Sequence, residues 1–150
     1  MEKTISHATV VAALLLSLLV TACSDLFMDE EASMRAAREF LEKREVNAAA
    51  IELRNVLQAN PANAEARYLL AKINLEIGDY LAAAKEFRQT RAAGLVNADV
   101  AYGLAHALLG AEDFQGVIDI DDPQDDWPAT VRASLLSMKA LSLAALDNRK

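Results

Sequence analysis

A chain of 150 residues is long enough for one domain with a buried core. Hydrophobic residues make up 53% of it but aromatics only 5%. That surplus of alanine and leucine suits close-packed helices and, with few prolines and glycines, excludes a turn-rich all-β domain. The net charge of −7, without clustered Lys and Arg, excludes a nucleic-acid partner.

Residues 1–7 are polar, with Lys3 offset by Glu2, and an apolar run follows over 8–20. At roughly 13 residues the run is short for a membrane-spanning helix, which needs about 20, and fits the apolar region of a signal peptide. It ends Val20-Thr21-Ala22-Cys23. That ending resembles the lipobox of bacterial lipoproteins: an aliphatic residue, two small ones, then cysteine. The resemblance implies a signal peptide over 1–22, a diacylglycerol thioether on Cys23 and a lipidated tether over 23–28. Ordinary signal-peptidase cleavage after Ala22, leaving a free thiol, is the alternative. The position of the only cysteine favours lipidation. Several acyl chains anchor a protein stably where one does not, each buried methylene contributing about 0.8 kcal/mol. Ser24 rather than aspartate follows the cysteine, which by the rule for enteric-type lipoproteins favours the outer membrane over the inner.

Beyond the tether the chain repeats itself. Asp29, Asn63 and Asn97 are spaced by 34 residues, and each is a good helix N-cap. An acid follows two residues later in every case, Glu31, Glu65 and Asp99, where it complements the positive end of the helix dipole. Ala37, Ala71 and Ala105 recur at the same step, as do Glu45, Asp79 and Asp113, each followed by a large apolar residue. Each unit reads as two helices. In the second unit the pattern predicts helix A over 64–77, a turn at Gly78-Asp79 and helix B over 80–93. A single hairpin cannot bury both apolar faces, so the units must stack.

This period and pattern resemble the tetratricopeptide repeat (TPR). Counted from Ala64, the small residue, the alanine and the large apolar residue of that pattern fall on Ala71, Ala83 and Phe87. Counted from Glu30 they fall on Ala37, Ala49 and Leu53, with proline at Pro61. The fold class predicted is all-α, an α-solenoid of three hairpins over 29–118. Helix B of the third unit is short and gives way to an acidic stretch, 119–128. An EF-hand loop needs a mid-loop glycine and a terminal glutamate, both absent there, so a solvated linker is expected rather than a calcium site. Pro128 then opens a further helix over 129–146 that is apolar on several sides. It reads as helix A of a fourth unit within 129–150, and the chain as a fragment of a longer repeat protein.

The segment Ala49-Ala50-Ile51-Glu52-Leu53-Arg54-Asn55-Val56-Leu57-Gln58, with Asn60-Pro61, Glu65-Ala66-Arg67 and Gly78-Asp79-Tyr80, is similar to a narrower family. Together with the lipobox it resembles the N-terminal part of the TPR lipoproteins of the PEP-CTERM/exosortase system (PrsT type). That resemblance implies a protein of the cell envelope, facing the periplasm, that accompanies exopolysaccharide production and surface-protein sorting.

Catalytic patterns are absent. The histidines are His7, in the leader, and His106, in mid-helix, and there is no nucleophile elbow, phosphate-binding glycine loop or zinc-ligand spacing. No enzyme activity and no cofactor are therefore expected. Binding remains. TPR solenoids hold protein or peptide segments in a groove lined by helix A, and the family's groove positions fall on Met34, Arg38 and Leu41, on Tyr68, Lys72 and Leu75, and on Tyr102, His106 and Leu109. Tyr68 and Tyr102 combine large apolar area with a polar tip, and Arg38 and Lys72 are candidates to pair with acidic groups of a ligand. His106 is expected to be a partly buried helix residue. The partners expected are envelope proteins or peptide segments, plus a membrane through Cys23. An alternative role is that of a structural lipoprotein in an outer-membrane assembly complex, which would use the convex face or later repeats.

Overall fold

The computed structural model describes residues 30–148. The leader, Cys23, the tether and the Asp29 cap lie outside those residues. Seven helices follow one another among the described residues: α1 (30–42), α2 (Val46–Ala59), α3 (Ala64–Glu76), α4 (Tyr80–Ala92), α5 (Ala98–Gly110), α6 (Phe114–Ile118) and α7 (Ala129–Asp147). Odd-numbered helices take the place of helix A and even-numbered ones that of helix B.

The helix starts follow the repeat. Asn63 accepts from the Ala66 N–H at 2.8 Å and Asn97 from the Val100 N–H at 2.9 Å. Asp79 and Asp113 cap α4 and α6 in the same way, accepting from Ala82 at 3.1 Å and Gly116 at 2.9 Å. Each satisfies one of the four donors that a helix N-terminus leaves open.

The turns within the hairpins are also equivalent. Arg44, Gly78 and Glu112 occupy the left-handed region, with φ of 60°, 80° and 56°. In each turn the next residue's N–H reaches back to a carbonyl of the last helical turn. Glu45 donates to Phe40 at 2.8 Å, Asp79 to Asn74 at 2.8 Å and Asp113 to Leu108 at 2.9 Å. Glycine takes this conformation without penalty in the second unit only. Arg44 and Glu112 adopt it against a steric cost of about 1–2 kcal/mol.

The alanines of the repeat are the places where the helices meet. Ala37, Ala71 and Ala105 of helix A are fully buried, and so are Ala49, Ala83 and Val117 of helix B. Leu53 and Phe87 are buried beside them. One core cluster draws on α1, α2 and α3 and a second on α3 to α7. Helix α3 belongs to both: Ala66, Leu70 and Ile73 face the first, Ala71 the second. The hairpins therefore form a continuous stack.

Polar contacts fasten the joints. Glu30 accepts from the amides of Asn60 at 3.0 Å and Asn63 at 2.7 Å, tying α1 to the α2–α3 turn. Arg67 donates to the Pro61 carbonyl at 2.9 and 2.6 Å and pairs with Glu86 at 2.9 Å, joining α3, α4 and the preceding turn. Both charged side chains of that pair are mostly shielded, so it is the best-enclosed ion pair of the molecule among the described residues.

The acidic stretch 119–128 is mostly solvent-exposed, and two of its apolar side chains and several ion pairs also hold it to the stack. Ile120 is buried and Trp127 packs against the second core cluster. Asp121 pairs with Arg91, Asp122 with Lys139 at 2.6 Å and Asp125 with Arg132 at 3.2 Å. The aspartates themselves are exposed, so each pair contributes at most about 1 kcal/mol, and the two apolar side chains do most of the fastening. Helix α7 is long and apolar enough to cross a membrane by length and composition. Its Lys139 and Arg132 are instead engaged by the strap, its Leu135 and Ser142 are buried, and it packs on α5 and α6.

Two stability changes follow. Arg44→Gly should stabilise by about 0.5–1 kcal/mol in denaturant unfolding, because relief of the left-handed strain exceeds the added entropy of the unfolded chain. Asn97→Ala should destabilise by about 1 kcal/mol in the same assay through loss of the α5 cap.

Candidate functional site

Stacking the hairpins places α3 beside α5, and Tyr68 and Lys72 of the former come to face Tyr102 of the latter. An open hollow of about 290 Å³ lies between them, with Leu75, Phe87, Asp99 and Gly103 completing its lining. The volume suits one side chain together with its adjoining main chain.

The floor depends on a close approach. Gly103 lies so near the Phe87 ring that a Cβ there would overlap its Cζ. Seven residues on, a Cβ at Gly110 would stand 2.5 Å from the Tyr80 ring. Tyr80 and Phe87 of α4 are themselves seven apart, so the two rings lie against two bare patches of the antiparallel α5. Glycine inside a helix costs about 1 kcal/mol relative to alanine. Here it makes room for the rings.

The walls are ordered by ring contacts. Tyr68 meets Phe87 edge-to-face, with centroids 6.3 Å apart and planes at 63°. An aromatic pair of this kind contributes about 0.5–1.5 kcal/mol beyond its burial. The Lys72 ammonium sits 5.5 Å from the Tyr68 ring centroid, within cation–π range. Tyr102 is 40% exposed, so part of its side chain is available to a ligand. Its centroid lies 6.2 Å from the His106 ring, the two planes tilted by 43°.

Burial in this wall raises the Tyr68 pKa, and the charge of Asp99 raises it further. The phenol thus remains a hydrogen-bond donor where a free tyrosine begins to ionise.

The residues singled out from the sequence divide into groups. Tyr68, Lys72, Leu75 and Tyr102 converge on the hollow. His106 is exposed beside it, not partly buried as expected, and touches Tyr102. Leu109 and Leu41 are partly buried against the two core clusters. Met34 is only 6% exposed and belongs to the first core, so it offers a partner little area. Arg38 is taken up internally: its guanidinium holds Glu65 through both carboxylate oxygens, at 2.8 Å each. Cys23 lies outside the described residues.

Asp99, Phe87 and Gly103 were not among the sequence-derived site residues. Asp99 stands at the second position of its repeat, a family groove position, but its place in the first turn of α5 reads equally well as a dipole-complementing acid. Gly103 carried a signal in being a glycine at mid-helix.

No protein-family model matches the chain, and no curated protein matches it. Among solved structures, an O-GlcNAc transferase variant from Thermobaculum terrenum, a TPR-repeat protein, is similar with a TM-score of 0.56 at 24% identity. The fold is a TPR-type solenoid. The match covers 77% of this chain and 20% of the transferase, so the chain spans about a fifth of that protein's length. The likeness concerns the helical stack alone, and nothing of the transferase's chemistry follows from it.

The Tyr68 shift has a pH consequence. With the folded pKa above the ordinary value of 10.0, stabilisation from the protonated phenol is complete below that pH and is lost as pH rises through the folded pKa. A phenolate absorbance titration of the protein, minus that of Tyr68→Phe, should show a step above pH 10, and Asp99→Asn should move that step down.

Proposed function

We propose that this chain is a lipid-anchored interaction scaffold of the cell envelope, which holds a segment of a partner protein between α3 and α5. The observation that carries the reading is the open hollow between two helix A elements, walled by Tyr68 and Tyr102 and floored by Phe87. Tyrosines in a partly desolvated depression are characteristic anchors of protein interfaces. The rings here are already positioned by contacts within the protein, which lowers the ordering cost of binding.

Anchoring rests on the Val20-Thr21-Ala22-Cys23 sequence. Acylated Cys23 would hold the solenoid at a membrane facing the periplasm, with Ser24 favouring the outer one. The similarity of residues 49–58 and their neighbours to PEP-CTERM-system TPR lipoproteins supports service in exopolysaccharide or surface-protein export. No catalytic role is proposed, because the hollow brings together neither a nucleophile–base pair nor an acid–base pair in hydrogen-bonding contact.

The alternative, a structural lipoprotein of an outer-membrane assembly complex, draws support from α7. Leu136, Leu141 and Leu143 of that helix are all more than half exposed, an apolar surface suited to a further helix or a partner.

Affinity recovery of the full-length lipidated protein from its native envelope, beside Tyr68→Ala/Tyr102→Ala, separates the two. The scaffold reading expects export or polysaccharide proteins to be recovered with the unaltered chain and depleted at least ten-fold with the double variant. Equal recovery in both samples places the interface elsewhere and favours the assembly role.

A further inference from the structure

The first two crevices between successive helix A elements, α1–α3 and α3–α5, are built from equivalent positions, yet their rims differ. Between α1 and α3, Arg38 and Glu65 form a clasp across the rim, Nη2 donating to both carboxylate oxygens at 2.8 Å and Nε to Oε1 at 3.2 Å. Adding 34 to each number gives Lys72 and Asp99 on the rim between α3 and α5. Both line the hollow, and among the described residues neither makes an ion pair. Lys72 lies instead over Tyr68.

The chemistry of the two pairs accounts for the difference. Aspartate is one methylene shorter than glutamate. Lysine is a point charge without the planar fork that lets arginine hold two carboxylate oxygens at once. The clasp that spans the first rim therefore has too little reach and no fork at the second. The floors differ in the same sense. Leu69 occupies the position that Gly103 takes one repeat later, and Met34, buried, stands where the second crevice has Tyr68. At the second crevice the Phe87 ring fills the space that the missing side chain leaves, and the shorter, unpaired rim groups leave the mouth open.

We infer that the Arg38–Glu65 clasp closes the first crevice, and that the unmade Lys72–Asp99 pair makes the second a seat for an extended, uncharged stretch of polypeptide bearing an aliphatic side chain. This deepens the scaffold reading and rests on it. The side chain enters over Leu75 and Phe87, between the tyrosine walls. One rim presents a donor cation and the other an acceptor anion, so a peptide unit, with its own N–H and C=O, complements both. Its N–H donates to Asp99 and its C=O accepts from Lys72. A charged side chain at this point gains one rim group and opposes the other, and loses its hydration over Leu75 and Phe87, so it is disfavoured.

The test is a titration of the full chain with three N-acetylated, C-amidated tripeptides, Gly-Leu-Gly, Gly-Lys-Gly and Gly-Glu-Gly, followed by backbone amide chemical shifts. The leucine peptide should shift the Gly103 and Tyr102 signals and bind at least three-fold more tightly than either charged one. K72R/D99E, which copies the first rim onto the second, should weaken it at least ten-fold while leaving all aromatic walls in place. K72Q/D99N, which removes both rim charges without lengthening either side chain enough to make a clasp, should also weaken it, about three- to ten-fold. Should one variant not fold, the other still decides. Preference for a charged peptide, or undiminished leucine-peptide binding in the folded variants, overturns the proposal. Tyrosine-dependent partner recovery with no peptide bound anywhere overturns the seat while leaving the scaffold reading intact. Peptide binding at Gly103 without partner recovery supports the seat and removes the scaffold reading's support.

Discussion

Fully buried small residues at the hairpin contacts are the constraint from which the rest of this solenoid follows. Ala37, Ala71 and Ala105 on one set of helices, with Ala49, Ala83 and Val117 on the other, leave no accessible surface. Small side chains at these points bring helix backbones close, and close-packed interiors respond to the addition of even one methylene. Larger side chains there would push each hairpin apart, and the error would accumulate from unit to unit. The separation of α3 from α5, and hence the width of the crevice with Tyr68 and Tyr102 on its walls, is set by contacts that lie beneath it and touch no ligand.

Helix α3 shows how cooperation arises in a stack of this kind. Its Leu70 and Ile73 serve the first core and its Ala71 the second. Arg67, on the same helix, fastens the turn before it and the helix after it. Loosening α3 exposes apolar surface on both sides at once, so the first hairpin and the later helices are coupled through a single element. In a quasi-one-dimensional protein such a shared wall supplies the nearest-neighbour energy that individual hairpins lack.

Much of this architecture was legible in the sequence because it depends on local chemistry that recurs. Asn63 and Asn97 announce helix starts through a hydrogen bond made within four residues, and Gly78-Asp79 announces a turn by backbone conformation alone. Tyr68, Lys72, Leu75 and Tyr102 were legible as site residues because repeat position fixes which helix face they occupy. The rest was decided by encounters distant in sequence. Nothing local to Arg38 reveals that Glu65, a repeat away, accepts from its Nε and Nη2. The acidic run reads as solvated from its charges, yet Ile120 and Trp127 draw it against the core. His106 lies on a helix otherwise rich in buried residues, and only the placement of α5 in the stack turns that one face outward.

Glu30 stands at the first described position and holds two asparagine amides of the α2–α3 turn, at 3.0 and 2.7 Å. This contact has a mechanical meaning. Tension applied to the chain ahead of Glu30 does not enter α1 alone. Part of it passes sideways into the joint between the first and second hairpins, so the first helix cannot be peeled away end-on until that joint has also yielded. A solenoid fastened in this manner resists a pull at its N-terminal end with the combined grip of two repeats.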